Sequence, residues 1–280
     1  MNLVLCYPHV SPTRTLYSST PAMFERHLEI LRDAGYAFID HDEFVNLARR
    51  RFPSRARTAL ITFDDGHADN WFHARPLLLS MKLPAVLFAI TDPRAILEGP
   101  TRDSTEEPVL GDDPDAEHVH TPMRWSEIQT WHASGLLSVQ SHTHGHSPLE
   151  RFAGSREELQ RVISDDLQLS RKVIEDRIGT APVSLAWPWG HSNPTLRAAA
   201  ASLGFPLQFS TVPGYNGPWA MQQRLHRVCF DGATAATVEA WALRSGARRA
   251  TKIYSLARTG ITSVKGRLKS LQWRSLVNAR

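Results

Sequence analysis

Apolar runs of strand length alternate with helix-length segments along almost the whole chain, and this order restricts the fold more than any other feature. Strands are predicted at Leu3–Tyr7, Ala59–Phe63, Ala85–Ile90, Leu136–Ser141, Val183–Trp187, Pro206–Thr211 and Arg227–Phe230, with a shorter extended piece at Ala37–Asp40. Helices are predicted between them. The first has Thr20 as its cap and Pro21 at its first position, and it runs through Phe24, Leu28 and Leu31 to Gly35. Others are expected at Asp42–Arg51, Asp69–Met81, Ser126–Ser134, Ser155–Ile178, Pro194–Leu203 and Thr234–Arg244. Regular β-then-α order argues for parallel strands with helices outside, either as an open sheet or as a barrel.

Polar chemistry collects at the ends of these strands. Pro8-His9, Asp64-Asp65, the His142–His146 segment and Trp187-Pro188-Trp189-Gly190 each follow a different predicted strand. In parallel α/β folds that rim is where ligands bind. Gly66 lets the chain turn tightly after Asp64-Asp65, so both carboxylates can face one cavity. Burying adjacent unpaired acids costs several kcal/mol, on the order given by desolvation, and a dication would offset it. A lone Asp-Asp-Gly would read as the cap of the helix that follows; the histidines downstream favour the cation.

Gly145 and Pro148 exclude a helical zinc motif for His142 and His146, so a ligand-bearing turn off a strand is expected. Such a turn offers imidazole nitrogens at about 2.0–2.1 Å and an Asp oxygen at about 2.0–2.2 Å from a zinc-like ion. One acid, two imidazoles and a spare acid leave coordination positions for water and substrate. His144 is expected to point away or to line the groove.

Bulk composition sets limits. The 280 residues, 42% hydrophobic and 21% charged, suit a large globular α/β domain. No stretch reaches the roughly 20 apolar residues of a membrane span. Met1–Tyr7 is too short for a signal peptide and lacks a basic start, so the cytoplasm is the expected compartment. Cys6 and Cys229 read as buried free thiols. Net charge is +4, yet residues 240–280 hold ten Lys/Arg and no acid, which leaves −6 for the rest. This basic segment spaces Ile253, Ala257, Ile261, Val264, Leu268 and Leu271 among its cations, a helical pattern suited to an anionic membrane surface. It has too few aromatics for a nucleic-acid partner to be expected. The division is therefore a catalytic domain over 1–239 and a basic amphipathic tail over 240–280. The stretch Glu98–Glu117, with eight acids and one base, is expected to be a loop on the site's rim.

Thr62-Phe63-Asp64-Asp65-Gly66, Ser141-His142-Thr143-x-x-His146 and Trp187-Pro188-Trp189-Gly190 together resemble the first three motifs of the polysaccharide deacetylase family (carbohydrate esterase family 4, the NodB-homology domain). The likeness runs from about Leu3 to Asp231 and includes the opening Cys6-Tyr7-x-His9. It implies a distorted (β/α) barrel of about seven strands that removes N-acetyl groups with a divalent metal, most often zinc. On that template Asp65, His142 and His146 are the ligands and Asp64 is the general base. Trp187 stands where many members have an Arg. The Trp-Pro-Trp-Gly version resembles a subgroup with Tyr-Pro-Tyr-Gly, in which an Arg recurs near the last strand; Arg227 (or Arg224) matches it.

A general acid must protonate the leaving amine. His226 is the leading candidate and His9 the runner-up. Trp189, Arg227 and His9 are expected to touch substrate. The resemblance implies an N-acetylated amino sugar as substrate; the absence of a signal-peptide pattern and the basic tail suggest a glycan, glycolipid or sugar-nucleotide precursor at the cytoplasmic face of a membrane. Two alternatives stay open: a deacylase or amidohydrolase of a non-carbohydrate amide or ester, and a carbohydrate-binding relic without catalysis.

Overall fold

The computed structural model describes residues 2–12, 18–52, 57–107, 121–149, 154–218, 220, 222–230 and 235–243. In chain order its strands are β1 (Asn2–Tyr7), the short pair β2 (His9–Val10) and β3 (Ser18–Ser19), β4 (Ala37–Phe38) and β5 (Thr58–Asp65). There follow β6 (Ala85–Ala89), β7 (Leu137–Ser141), β8 (Ser184–Ala186), β9 (Leu207–Phe209) and β10 (Val228–Cys229). The helices are α1 (Pro21–Asp33), α2 (His41–Arg49), α3 (Arg75–Met81), α4 (Trp125–Ala133), α5 (Arg156–Ile178), α6 (Pro194–Ser202) and α7 (Ala235–Leu243).

Seven parallel strands follow one another in the order β10-β1-β5-β6-β7-β8-β9, and β4 joins the start of β5 as an eighth. This is a parallel half-barrel of the distorted (β/α) type. Its open seam is narrowed by Leu225, whose amide and carbonyl bond to Gln208 and Ser210 and so bring the approach to β10 against β9. The predicted strands all form, shortened by one to three residues at β6 to β10. Thr20 caps α1 by accepting from the Met23 amide, with Pro21 at the first position. The segment predicted as one helix from Asp69 begins instead with a π turn over Asn70–Ala74.

Alternation along each strand sorts the side chains into two layers. Leu3, Leu5 and Tyr7, with Ala59, Ile61 and Phe63, face outward and pack under Phe24, Leu28, Leu78, Trp131 and Trp241 of the surrounding helices. Val4, Leu60, Val86, Phe88, Ala186, Leu207 and Phe209 fill the interior, where Phe44 and Val45 of α2 join them. Each buried Leu or Phe contributes about 1.5–3 kcal/mol. Leu60, Thr62 and Asp64 therefore share the inner face, and the acid tops an otherwise closed column. Cys6 and Cys229 are paired in register on β1 and β10, both buried and not joined by a disulfide.

The acidic loop is tied down at its near end. Arg102 donates from Nε and Nη2 to the two carboxylate oxygens of Glu127 on α4, at 2.7 and 2.8 Å, with both side chains buried. Residues 108–120 of that loop lie outside the described residues. So does the basic tail from residue 244 onward, and with it the expected membrane contact. Among the described residues no helix is long and apolar enough to cross a membrane.

Candidate metal centre

Asp64 and Asp65 end β5, and the Gly66 amide turns back to the Asp64 carbonyl at 2.9 Å. Strict alternation would send the two acids to opposite faces. Asp65 avoids this by adopting φ 72°, a left-handed conformation that is costly for a residue with a Cβ. Its carboxylate then reaches the imidazoles that follow β7.

His142 donates from Nδ1 to the Ala186 carbonyl at 2.7 Å, which leaves Nε2 as the nitrogen facing Asp65. His146 arrives at the same place through a turn with two left-handed residues, Thr143 at φ 68° and His146 at φ 46°. Asp166 of α5 fixes that turn by accepting from the His144 and Gly145 amides, each at 2.8 Å. The Thr143 hydroxyl accepts from the His146 amide. His144, expected to point away or to line the groove, bonds through Nδ1 to the Thr91 hydroxyl.

The donor set fits a divalent ion. Asp65 Oδ1 lies 3.2 Å from His142 Nε2 and 3.5 Å from His146 Nε2. Ligands about 2.05 Å from a tetrahedral ion would stand about 3.4 Å apart. Asp65 Oδ1 is buried with no hydrogen-bond partner, an arrangement that costs about 1–3 kcal/mol unless a cation satisfies it. One ligand atom from each of Asp65, His142 and His146 falls within 4.8 Å of the others.

The charges agree with this reading. Burial pushes the His146 imidazole down to about 4, helped by the His142 charge, so it is neutral at pH 7 as a ligand must be. Burial also opposes a charge on His142, but Asp64 and Asp65 together raise it above the ordinary imidazole value. The site thus calls for positive charge, and a bound dication would release that proton. Burial resists ionisation of Asp65, yet the His142 and His67 imidazoles hold its carboxyl well below the usual range.

Arg227 corrects one expectation. It is 0% exposed and out of a substrate's reach. Its Nη1 and Nη2 donate to the two oxygens of Asp64 at 2.6 and 2.8 Å, and its Nε donates to the Ser210 carbonyl. Arg227 is the clamp on Asp64, not a substrate contact. Burial would push the Asp64 carboxyl up, but the Arg227 charge, with that of His142, holds it below the ordinary value.

His226 corrects another. Arg227 and Cys229 turn inward, so His226 turns outward with Val228 and Phe230. There its Nδ1 meets the Val212 carbonyl at 3.1 Å and its ring packs over Gly214. The structure does not bring it to the ligands, and it is not placed to act as the acid.

His9 stands closer to the chemistry. Its Nδ1 lies 2.6 Å from Asp69 Oδ2, and its ring stacks on His67 at 4.0 Å. His67 Nε2 in turn lies 3.1 Å from Asp65 Oδ2. Trp189 is 50% exposed and its ring sits 4.4 Å from that of His146, whereas Trp187 is core, bonded through Nε1 to Gln208. Sequence reasoning missed His67, Asp69 and Asp166. The run Asp-Asp-Gly-His-Ala-Asp signals the first two; nothing marks Asp166 among the other acids of α5.

A parallel half-barrel with an Asp–His–His cation site at its strand ends, next to a second, Arg-clamped carboxylate, has the plan of a metal-dependent hydrolase. The chain belongs to the polysaccharide deacetylase family, whose family model matches residues 52–207. It is 26% identical over 206 residues, 73% of this chain, to YxkH of Bacillus subtilis (strain 168). It is 24% identical over 205 residues, 70% of this chain, to the poly-beta-1,6-N-acetyl-D-glucosamine N-deacetylase of Staphylococcus aureus (strain MRSA252). The matched region spans 63% of the length of each of these two relatives. Among solved structures, IcaB from Ammonifex degensii is 25% identical and superposes over 87% of this chain and 97% of its own with a TM-score of 0.71. The Streptococcus pyogenes deacetylase PplD in complex with acetate has the same fold, with a TM-score of 0.67 at 19% identity over 87% of this chain and 98% of its own.

Proposed function

We propose that this chain is a zinc-dependent N-deacetylase that hydrolyses the acetamide of N-acetylglucosamine units in a β-1,6-linked glycan. The observation that carries the reading is the buried, unpartnered Asp65 Oδ1 facing two imidazoles beside a second, Arg-clamped carboxylate. The glycan is inferred from the likeness to the S. aureus poly-beta-1,6-N-acetyl-D-glucosamine N-deacetylases. Membership of the aromatic-Pro-aromatic-Gly subgroup is part of the same proposal, supported by Arg227 holding Asp64 while Trp187 occupies the place of the usual Arg.

When bound, the dication would polarise the acetyl carbonyl and lower the pKa of water towards about 7. The rest falls to the chain. Asp64 is ionised and pinned by both oxygens, so it is aimed to accept a proton from the attacking water. Its lowered pKa makes it a weak base by itself, which is why it needs water already made acidic. Asp69 orients His9, which becomes the candidate acid: it delivers a proton to the amine as the C–N bond breaks, giving acetate and a free amino sugar. The exposed face of Trp189 offers a flat apolar surface on which a sugar ring can stack.

The test incubates zinc-loaded protein with β-1,6-linked and β-1,4-linked N-acetylglucosamine oligomers, an N-acetyl sugar nucleotide, and small acetanilides, and quantifies acetate and free amine. Turnover of the β-1,6 oligomers, lost by at least about 10³-fold in Asp64→Asn with oligomer binding retained, is the expected result. Preference for the sugar nucleotide would move the substrate to a glycan precursor. Preference for the anilides would remove carbohydrate altogether.

A further inference from the structure

We infer that His67 is a positioning residue that restricts Asp65 to one metal-facing oxygen. The two oxygens of Asp65 have different surroundings. Oδ1 faces His142 and His146 at 3.2 and 3.5 Å, and Oδ2 meets His67 Nε2 at 3.1 Å. A carboxylate rotates readily about its last bond, and without a partner on Oδ2 it could present both oxygens to one ion. The second oxygen would then fill a coordination position that water and substrate need.

His67 is built to hold still. Its side chain is buried, and its ring lies nearly parallel to that of His9, 16° between planes at 4.0 Å. His9 is itself fixed by Asp69. The backbone of His67 bridges to Pro122, and the neighbouring Gly66 carbonyl accepts from Met123. These contacts tie the histidine to the base of the acidic loop as well as to the site. The left-handed backbone of Asp65, φ 72°, directs its side chain towards the imidazoles but leaves the carboxylate's rotation about its last bond to be set by the partner on Oδ2. Partners that orient a metal ligand in this way typically change metal affinity by about 10–100-fold when removed.

The inference rests on the metal-dependent reading above, and the experiment separates the two. Zinc affinity is measured by chelator competition for the parent, His67→Phe and His67→Gln, and the visible spectrum of each cobalt-substituted protein is recorded. His67→Phe keeps the stacking on His9 but loses the bond to Oδ2; His67→Gln can still donate to it. The phenylalanine variant is expected to bind zinc about 10–100-fold more weakly and to show the weaker cobalt absorption of a higher coordination number, with the glutamine variant restoring both towards the parent. If the phenylalanine variant does not fold, His67→Asn, whose amide stops short of Oδ2, takes its place. Parental affinity and spectrum in the loss variant overturn the inference, as does a glutamine variant no better than it. A parent that binds no zinc overturns the metal-dependent reading instead.

Discussion

Asp64 and Arg227 form a buried ion pair at the top of an apolar column, and such pairs are strongly interdependent. Each charge removed alone strands the other away from water, at about 3–5 kcal/mol. Arg227→Met should therefore destabilise the protein by that order, and so should Asp64→Leu. The double variant should cost less than the two singles added together, because no charge is left without a partner. Urea unfolding of the four proteins reads this directly. Additive losses would mean that the two groups do not depend on each other as the twin hydrogen bonds imply. The same pair explains a misreading at the residue scale. Sequence placed both His226 and Arg227 near the chemistry, but a strand sends neighbours to opposite faces, and without the register nothing says which of the two turns inward.

At the scale of elements, what was legible followed from periodicity. The strand ending in Asp64-Asp65 and the strand ending in Ser141-His142 announce themselves by apolar runs that stop at polar residues, so the place of the site could be read from them, whereas the choice of Asp65 as ligand and Asp64 as base came from the family resemblance. Supporting contacts from other elements leave no such mark. Asp166 lies in a 23-residue helix rich in exposed charge, and only the fold reveals that its carboxylate reaches the turn between the two ligand histidines. The left-handed backbone at Asp65 and the π turn after it are equally silent, since residues with ordinary propensities adopt them under tertiary constraint. Asp166→Ala frees two amides and loosens a turn that already carries two left-handed residues. Zinc affinity should fall by about 10-fold or more while the far-ultraviolet spectrum keeps its helix content. Chelator competition checks it, and parental affinity would show that Thr143 alone suffices to shape the turn.

For the molecule as a whole, the barrel is closed at one end by chemistry unrelated to catalysis. His41, the first residue of α2, is buried with Nε2 2.8 Å from the hydroxyl of Ser184 at the start of β8. The acids facing it are Asp42, 3.8 Å from Nδ1, and Asp40, the helix cap. Burial outweighs both and pushes the imidazole down to about 4, from an ordinary value near 6.5. The folded form thus holds His41 neutral where the unfolded chain already takes up a proton. Above about pH 6.5 neither state is protonated and the group contributes nothing to the pH dependence. As pH falls from about 6.5 to about 4, the unfolded state binds the extra proton and folding stability declines, by about 3 kcal/mol in total at 1.36 kcal/mol per pKa unit. His41→Gln keeps a donor for Ser184 but cannot titrate, so its stability should fall less over that window. Urea unfolding of parent and variant at pH 7, 5.5 and 4 should give curves that diverge towards acid. Curves that stay parallel would mean the ring takes up its proton in the folded barrel as readily as in the open chain.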